Sequence, residues 1–162
     1  MSTIDLNTIG AKHSQWVEAM GWHNKTVLES LALIASEIGE AAAECLGILD
    51  VVKFGEELAD IILRTTDLAV TEGVNLNEEV AKVTVDWKAT TIAECISEIL
   101  VDYALWSNTA RKAELGVDFA QGMAMVVARV IDLADTCHID LNEEVAKKLA
   151  KNAQRGTRGR LF

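Results

Sequence analysis

The chain has 162 residues, half of them hydrophobic and a quarter charged, with no proline and a formal net charge of −10. That length and balance exclude a disordered or collagen-like chain and allow one domain with a real core. The acidic excess disfavours wrapping of nucleic acid, and no run approaches 18 uninterrupted apolar residues, which excludes a membrane-spanning helix.

An abundance of Ala, Leu, Val, Ile and Glu, with few aromatics, predicts an all-α helical bundle. Met1 to Gly10 is polar and lacks the basic start and apolar centre of a signal peptide. Cys45, Cys95 and Cys137 are an odd count without a CxxC pair, which reads as buried thiols in a reducing cytoplasm.

Leu6 to Met20 is predicted as a short amphipathic helix, with Ile9, Trp16 and Met20 among its apolar positions. Gly21-Trp22-His23-Asn24-Lys25 breaks it. Thr26 then caps a long second helix, and Glu29 completes a capping box. Its apolar face takes in Leu28, Leu31, Leu33, Ile34, Ile38, Ala41, Ala42, Cys45 and Leu46 and continues to about Leu49. A third helix runs from about Val52 to Thr71, with Phe54, Leu58, Ile61, Ile62, Leu68 and Ala69 turned to the core and Gly73 as its C-cap. Asn75 starts a fourth helix, with Glu78 at the capping-box position.

The second half echoes the first. Val74-Asn75-Leu76-Asn77-Glu78-Glu79-Val80-Ala81-Lys82 returns 65 residues later as Ile139-Asp140-Leu141-Asn142-Glu143-Glu144-Val145-Ala146-Lys147. Phe54, Asp67 and Leu68 match Phe119, Asp132 and Leu133 at the same offset, whereas Ser36-Glu37-Ile38 matches Ser97-Glu98-Ile99 at 61. The expectation is one domain over 1–162 built from two tandem, pseudo-symmetric units, about 5–88 and about 89–162. The chemistry is unevenly divided between them. Glu40, Glu57 and Asp60 correspond to Val101, Gly122 and Met125. Lys148, Asn152 and Arg155 correspond to Val83, Trp87 and Thr90. One unit keeps the acids and the other keeps the basic and amide groups, as a shared site would require; drift in a scaffold is the alternative.

Glu37 and Glu40 lie three residues apart, as do Glu57 and Asp60, so each pair shares a helix face. On antiparallel helices the two pairs converge. Four carboxylates among Ile38, Gly39, Ala41, Leu58, Ala59 and Ile61 need a counter-charge, and Mg²⁺ or Mn²⁺ prefers oxygen ligands. A solvated acidic face is the plainer reading of either pair alone. A ferritin-like di-metal site needs Glu-x-x-His, and none of His13, His23 and His138 follows a Glu at that spacing. His13 and His138 read as ordinary surface or packing residues.

Lys148, Asn152 and Arg155 share a face at i, i+4, i+7 and suit phosphate oxygens, or else complement the helix dipole. Six of the basic residues fall between Lys147 and Phe162 with no acid among them, either a phosphate-gripping element or a solvated end. Trp22 and Lys25 stand where a ring can stack on a base and an ammonium can reach a phosphate; a packing role for the tryptophans is the alternative.

Glu37-x-x-Glu40 followed by Glu56-Glu57-Leu58-Ala59-Asp60-Ile61-Ile62-Leu63-Arg64-Thr65-Thr66-Asp67-Leu68-Ala69 resembles the MazG-like branch of the all-α nucleoside triphosphate pyrophosphohydrolases. Arg129-Val130-Ile131-Asp132-Leu133-Ala134, Ile139-Asp140-Leu141 and Lys148-x-x-x-Asn152-x-x-Arg155 resemble the C-terminal half of the same pattern. The resemblance implies Mg²⁺-dependent hydrolysis of (d)NTP to (d)NMP and pyrophosphate. It implies Glu37, Glu40, Glu57 and Asp60 as metal ligands and Lys148, Asn152 and Arg155 on the triphosphate; within the acidic cluster, Glu37 or Glu40 is expected to align or deprotonate the water. Here the acidic and basic motifs are split between units, and Arg158-Gly159 stands where related sequences often carry His-Gly. A restricted substrate (dGTP, dUTP, dCTP or phosphoribosyl-ATP) and a non-catalytic assembly module are the rival readings. A four-unit assembly is common in the family, so a homo-oligomer of two such chains is expected.

Overall fold

The computed structural model describes residues 3–22, 26–112 and 117–155. Among them are seven α-helices and no strand: α1 Leu6–Ala19, α2 Val27–Ala43, α3 Val51–Thr71, α4 Leu76–Ala81, α5 Ile92–Arg111, α6 Val117–Thr136 and α7 Leu141–Gln154. The all-α expectation holds. His23, Asn24, Lys25 and the end of the chain from residue 156, with Arg158, Gly159 and Arg160, lie outside the described residues.

The helix starts follow from their caps. Thr26 accepts from the Glu29 N–H, and Glu29 accepts from the Thr26 N–H, closing the expected capping box. Thr91 and Glu94 build the same device at α5. Asp50 accepts from the N–H groups of Val52 and Lys53, so α3 starts at Val51. Asn75 Oδ1 accepts from the Glu78 N–H, and the Asn75 side-chain amide donates to the Glu78 carboxylate. At the end of α3, Gly73 takes φ +67 and Val74 N–H reaches back to Ala69, the glycine-terminated stop the sequence predicts.

Two expectations about the second helix are corrected. It ends at Ala43 rather than near Leu49, because Cys45 and Leu46 close three-residue turns onto Ala42 and Ala43 and Gly47 takes φ +137. Leu28 and Leu46 do not join its buried face; they are 55% and 87% exposed. The three cysteines are free, and half-buried rather than buried.

α3 is the axle of the molecule. α1, α2 and α7 pack on it, and it touches α6, which in turn carries α4 and α5; α2 also lies along α5. Phe54, Leu58, Ile61, Ile62, Leu63 and Leu68 on α3 are all buried. Each such side chain contributes roughly 1.5–3 kcal/mol by leaving water. Gly10 lets α1 close on α3, since a Cβ there would stand 2.8 Å from the Thr66 carbonyl oxygen. The starts of α1 and α4 are tied reciprocally: Leu6 N–H donates to Asn77 and Leu76 N–H donates to Asn7.

Candidate metal centre

α2 presents Glu37 and Glu40, and α3 presents Glu57, Asp60 and Arg64, to one cavity of about 250 Å³. α7 closes a third side with Lys148, Asn152 and Arg155, and α1 with the turn after it supplies His13, Trp16 and Trp22. Of the residues expected to act on metal or nucleotide, Lys25 alone lies outside the described residues.

One carboxylate oxygen each from Glu37, Glu40 and Glu57 lies within 4.8 Å of the others. Burial pushes the Glu37 carboxyl above its ordinary value, and repulsion from Asp60 and Glu40 adds to this against the pull of Arg64. Arg64 Nε donates to Glu37 Oε1 at 3.2 Å. Glu57 is pushed up to about 7, by burial first and then by its acidic neighbours, although Lys148 pulls it down. Glu57 Oε2 is buried without a hydrogen-bond partner. Three crowded carboxylates, one with an orphaned buried oxygen, are a donor set short of positive charge. A hard divalent cation such as Mg²⁺ or Mn²⁺ fits that deficit and that all-oxygen chemistry.

Asp60 lines the same cavity but stands apart from this trio. Its Oδ2 accepts from Lys148 Nζ at 2.5 Å, and Lys148 lies 3.7 Å from Glu56. Lys148 is only 7% exposed. Burial alone would lower its pKa, but the Asp60 hydrogen bond and the charges of Asp60, Glu57 and Glu56 overturn that and raise it. It is therefore a fixed cation inside the site. Asn152 is buried beside it, and Arg155 is exposed at the rim.

His13, Trp16 and Arg64 line the cavity without having been singled out. His13 is buried, stacks on Trp16 at 5.8 Å, and has no hydrogen-bond partner on either ring nitrogen. Burial and the Arg64 charge lower its pKa to about 4, so it is neutral at physiological pH. Trp16 meets Trp22 edge-on at 4.9 Å. Arg64 was legible: it stands four residues after Asp60 and seven after Glu57, on one helix face. His13 and Trp16 had no such local signal, because the close approach of α1 to α3 brings them in.

Fold and site together define an all-α bundle with a cluster of three glutamates able to hold a divalent cation. Comparison of the chain with protein-family models, curated proteins and solved structures found no match.

Proposed function

We propose that the chain is a Mg²⁺-dependent nucleoside triphosphate pyrophosphohydrolase of the MazG-like kind, with Mn²⁺ as an alternative metal. The observation that carries this reading is that one cavity gathers three unlike sets of side chains. The glutamates suit a hard cation. Lys148, Asn152 and Arg155 suit phosphate oxygens. Trp16 and Trp22 offer flat apolar surface to a base.

In this reading Glu37, Glu40 and Glu57 hold the cation, and Asp60 joins them or keeps Lys148 in place. The cation, when bound, neutralises triphosphate charge and makes water more acidic. Glu37 or Glu40 aligns the attacking water and takes its proton. The water oxygen bonds to the α-phosphorus as the bond to the β-phosphate bridging oxygen breaks, releasing nucleoside monophosphate and pyrophosphate. Lys148, Asn152 and Arg155 donate to the oxygens where charge accumulates. The buried, unpartnered nitrogens of His13 and Trp16 favour a restricted substrate over a general one, because such groups reject bases that leave them unpaired.

We further read the chain as one domain of two tandem units, about 5–88 and about 89–162. A common spacing of 65 residues supports this: the capping boxes begin at Thr26 and Thr91, and Arg64 pairs with Glu37 as Arg129 pairs with Asp102. In that register Asp102, not Glu98, is the counterpart of Glu37, and the offset of 61 is unnecessary.

The test is a panel of the common NTPs and dNTPs, each with Mg²⁺ and with Mn²⁺, read by separate detection of nucleoside monophosphate and pyrophosphate. Pyrophosphate from at least one substrate is expected. Orthophosphate in its place, or no product with either metal, rules the reading out.

A further inference from the structure

Four carboxylates line the cavity, and among the described residues ion pairs reach only two of them. Arg64 bonds Glu37, and Lys148 bonds Asp60. Glu40 and Glu57 form no ion pair with any described residue, and Glu57 keeps a buried oxygen without a partner.

Asp60 is the odd member of the four. It stands three residues after Glu57 on the same face of α3, near enough to repel both Glu57 and Glu37. Yet the cluster able to share one cation takes in Glu37, Glu40 and Glu57 and leaves Asp60 out. Its partner is instead a lysine from α7. Lys148 Nζ lies 2.5 Å from Asp60 Oδ2 and 3.7 Å from Glu56 Oε2. An oxygen that accepts from an ammonium at that distance has no room for a second positive charge.

The anchoring of α7 lets the Lys148 ammonium move while its helix stays. Leu141 and Val145 are buried. Ile139 and Glu144 approach Gly55 so tightly that a Cβ there would stand 3.2 and 3.3 Å from their side chains. Lys151, more than half exposed, reaches Glu56 at 3.7 Å. None of these contacts passes through Lys148 Nζ, which carries three donors on a flexible four-carbon stem. Asn152 and Arg155 follow Lys148 at four and seven residues on one helix face and line the same cavity. An anion held by them competes with Asp60 for the ammonium.

We propose that Lys148 is an internal stand-in for metal charge: it keeps Asp60 from the cation until a phosphate takes its ammonium, and Asp60 then serves as a fourth carboxylate ligand. The proposal rests on the metal-site reading above, and on neither the identity of the nucleotide nor the reaction. It gives Asp60 both of the roles named there, in turn. Two consequences have signs that a purely structural ion pair does not share. Cation and phosphate strengthen one another's binding, by the same factor in both directions. Removing Lys148, although it removes a phosphate contact, also strengthens cation binding by the phosphate-free chain, because a hard cation gains another oxygen ligand. Breaking an ion pair that only held α7 in place would loosen the site instead.

Calorimetric titration of Mg²⁺ into the full chain, without nucleotide, is the test. Lys148→Met should lower the dissociation constant about tenfold, and in an Asp60→Asn background the same change should gain less than about twofold. Lys151→Met removes an equal charge from the same helix and should leave the constant within about twofold. In saturating inorganic phosphate the wild-type chain should bind Mg²⁺ about tenfold tighter than without it, and Lys148→Met should show no such gain. Far-ultraviolet circular dichroism should be unchanged throughout. A Lys148→Met chain that binds Mg²⁺ no tighter than wild type overturns the proposal. So does a gain undiminished by Asp60→Asn or matched by Lys151→Met, and so does wild-type binding that phosphate leaves unmoved. Failure of the wild-type chain and every variant to bind Mg²⁺ or Mn²⁺ overturns the metal-site reading, and the proposal with it. If Lys148→Met misfolds, Lys148→Gln, which can still donate to Asp60 but carries no charge, takes its place with the same expected sign.

Discussion

The helix pairs α2–α3 and α5–α6 are cross-braced alike and filled differently. In each, an arginine bonds a carboxylate 27 residues earlier: Arg64 to Glu37, and Arg129 to Asp102. Around Arg64 the neighbouring side chains leave a cavity rimmed by acids. Around Arg129 that room is taken. Trp87, from the segment between α4 and α5, lies 4.5 Å over the guanidinium and donates to Asp132, and Arg129 also bonds Glu98 and the Asp86 carbonyl. Deeper in, Trp106 presses on Gly122 so closely that a Cβ there would come within 2.8 Å of it. In the proposed two-unit register, the positions 65 residues earlier are Ala41 and Glu57. Glu57 lines the cavity of the first pair, whereas in the second pair a tryptophan presses on a glycine.

The sharpest way to break this contrast is to remove an acid from each pair. Glu40→Ala should lower the proposed hydrolysis by on the order of 10³-fold, ~4 kcal/mol of transition-state stabilisation, with helicity intact. Asp102→Asn should leave the rate within a few-fold. Full activity in Glu40→Ala would sink the metal site.

The two arginines separate function from stability. Arg129 is 13% exposed and holds two carboxylates, so Arg129→Met should cost about 3 kcal/mol in urea unfolding, with little effect on the rate of the proposed hydrolysis by the folded chain. Arg64 is 38% exposed and holds one, so Arg64→Met should cost about 1 kcal/mol or less and instead weaken metal binding about 10–100-fold. Equal stability losses would erase the distinction.

A smaller effect comes from pH. Glu57 titrates at about 7 in the folded chain against 4.5 for a free carboxyl, so folding binds a proton between those values. Its contribution favours the native state below about 4.5 and is lost as pH rises through about 7. Glu37, also raised, acts in the same direction. His13, lowered from 6.5 to about 4, has the opposite effect, but only below about 6.5. From pH 6.5 to 8, with chelator present, the unfolding temperature should therefore fall. Glu57→Gln should flatten that fall, and excess Mg²⁺ should restore stability at pH 8. A flat wild-type profile contradicts the assignment.

Smallest is the turn that ends each pair. His138 after α6 takes φ +57, where Gly73 stands after α3 with φ +67. His138→Gly should raise stability by about 0.5–1 kcal/mol, measured by urea unfolding.

Local signals made most of the fold legible. Thr26, Asp50, Asn75 and Gly73 mark helix ends by hydrogen bonds made within a few residues. The three-residue spacing of the acids shows which faces they share. What could not be read depends on distant contacts. Leu28 and Leu46 carry an apolar pattern that does not say whether this chain or another covers them. His13 enters the cavity only because Gly10 lets α1 approach Thr66. Trp87 is an unremarkable aromatic in sequence, and the fold lays it over Arg129. The capture of Asp60 by Lys148 spans 88 positions, and no local pattern encodes it.

That last contact sets an order on how the protein comes into being. The three glutamates are all present once the chain has reached residue 57, but their buried cation arrives only at residue 148. On the ribosome the acids must wait through two further long helices before α7 docks against α3. A chain cut short before α7 keeps the carboxylates and loses Lys148, Asn152 and Arg155 together. The residues proposed to contact phosphate are thus delivered well after the acids, so in the proposed reading a half-made chain has no complete grip on a triphosphate.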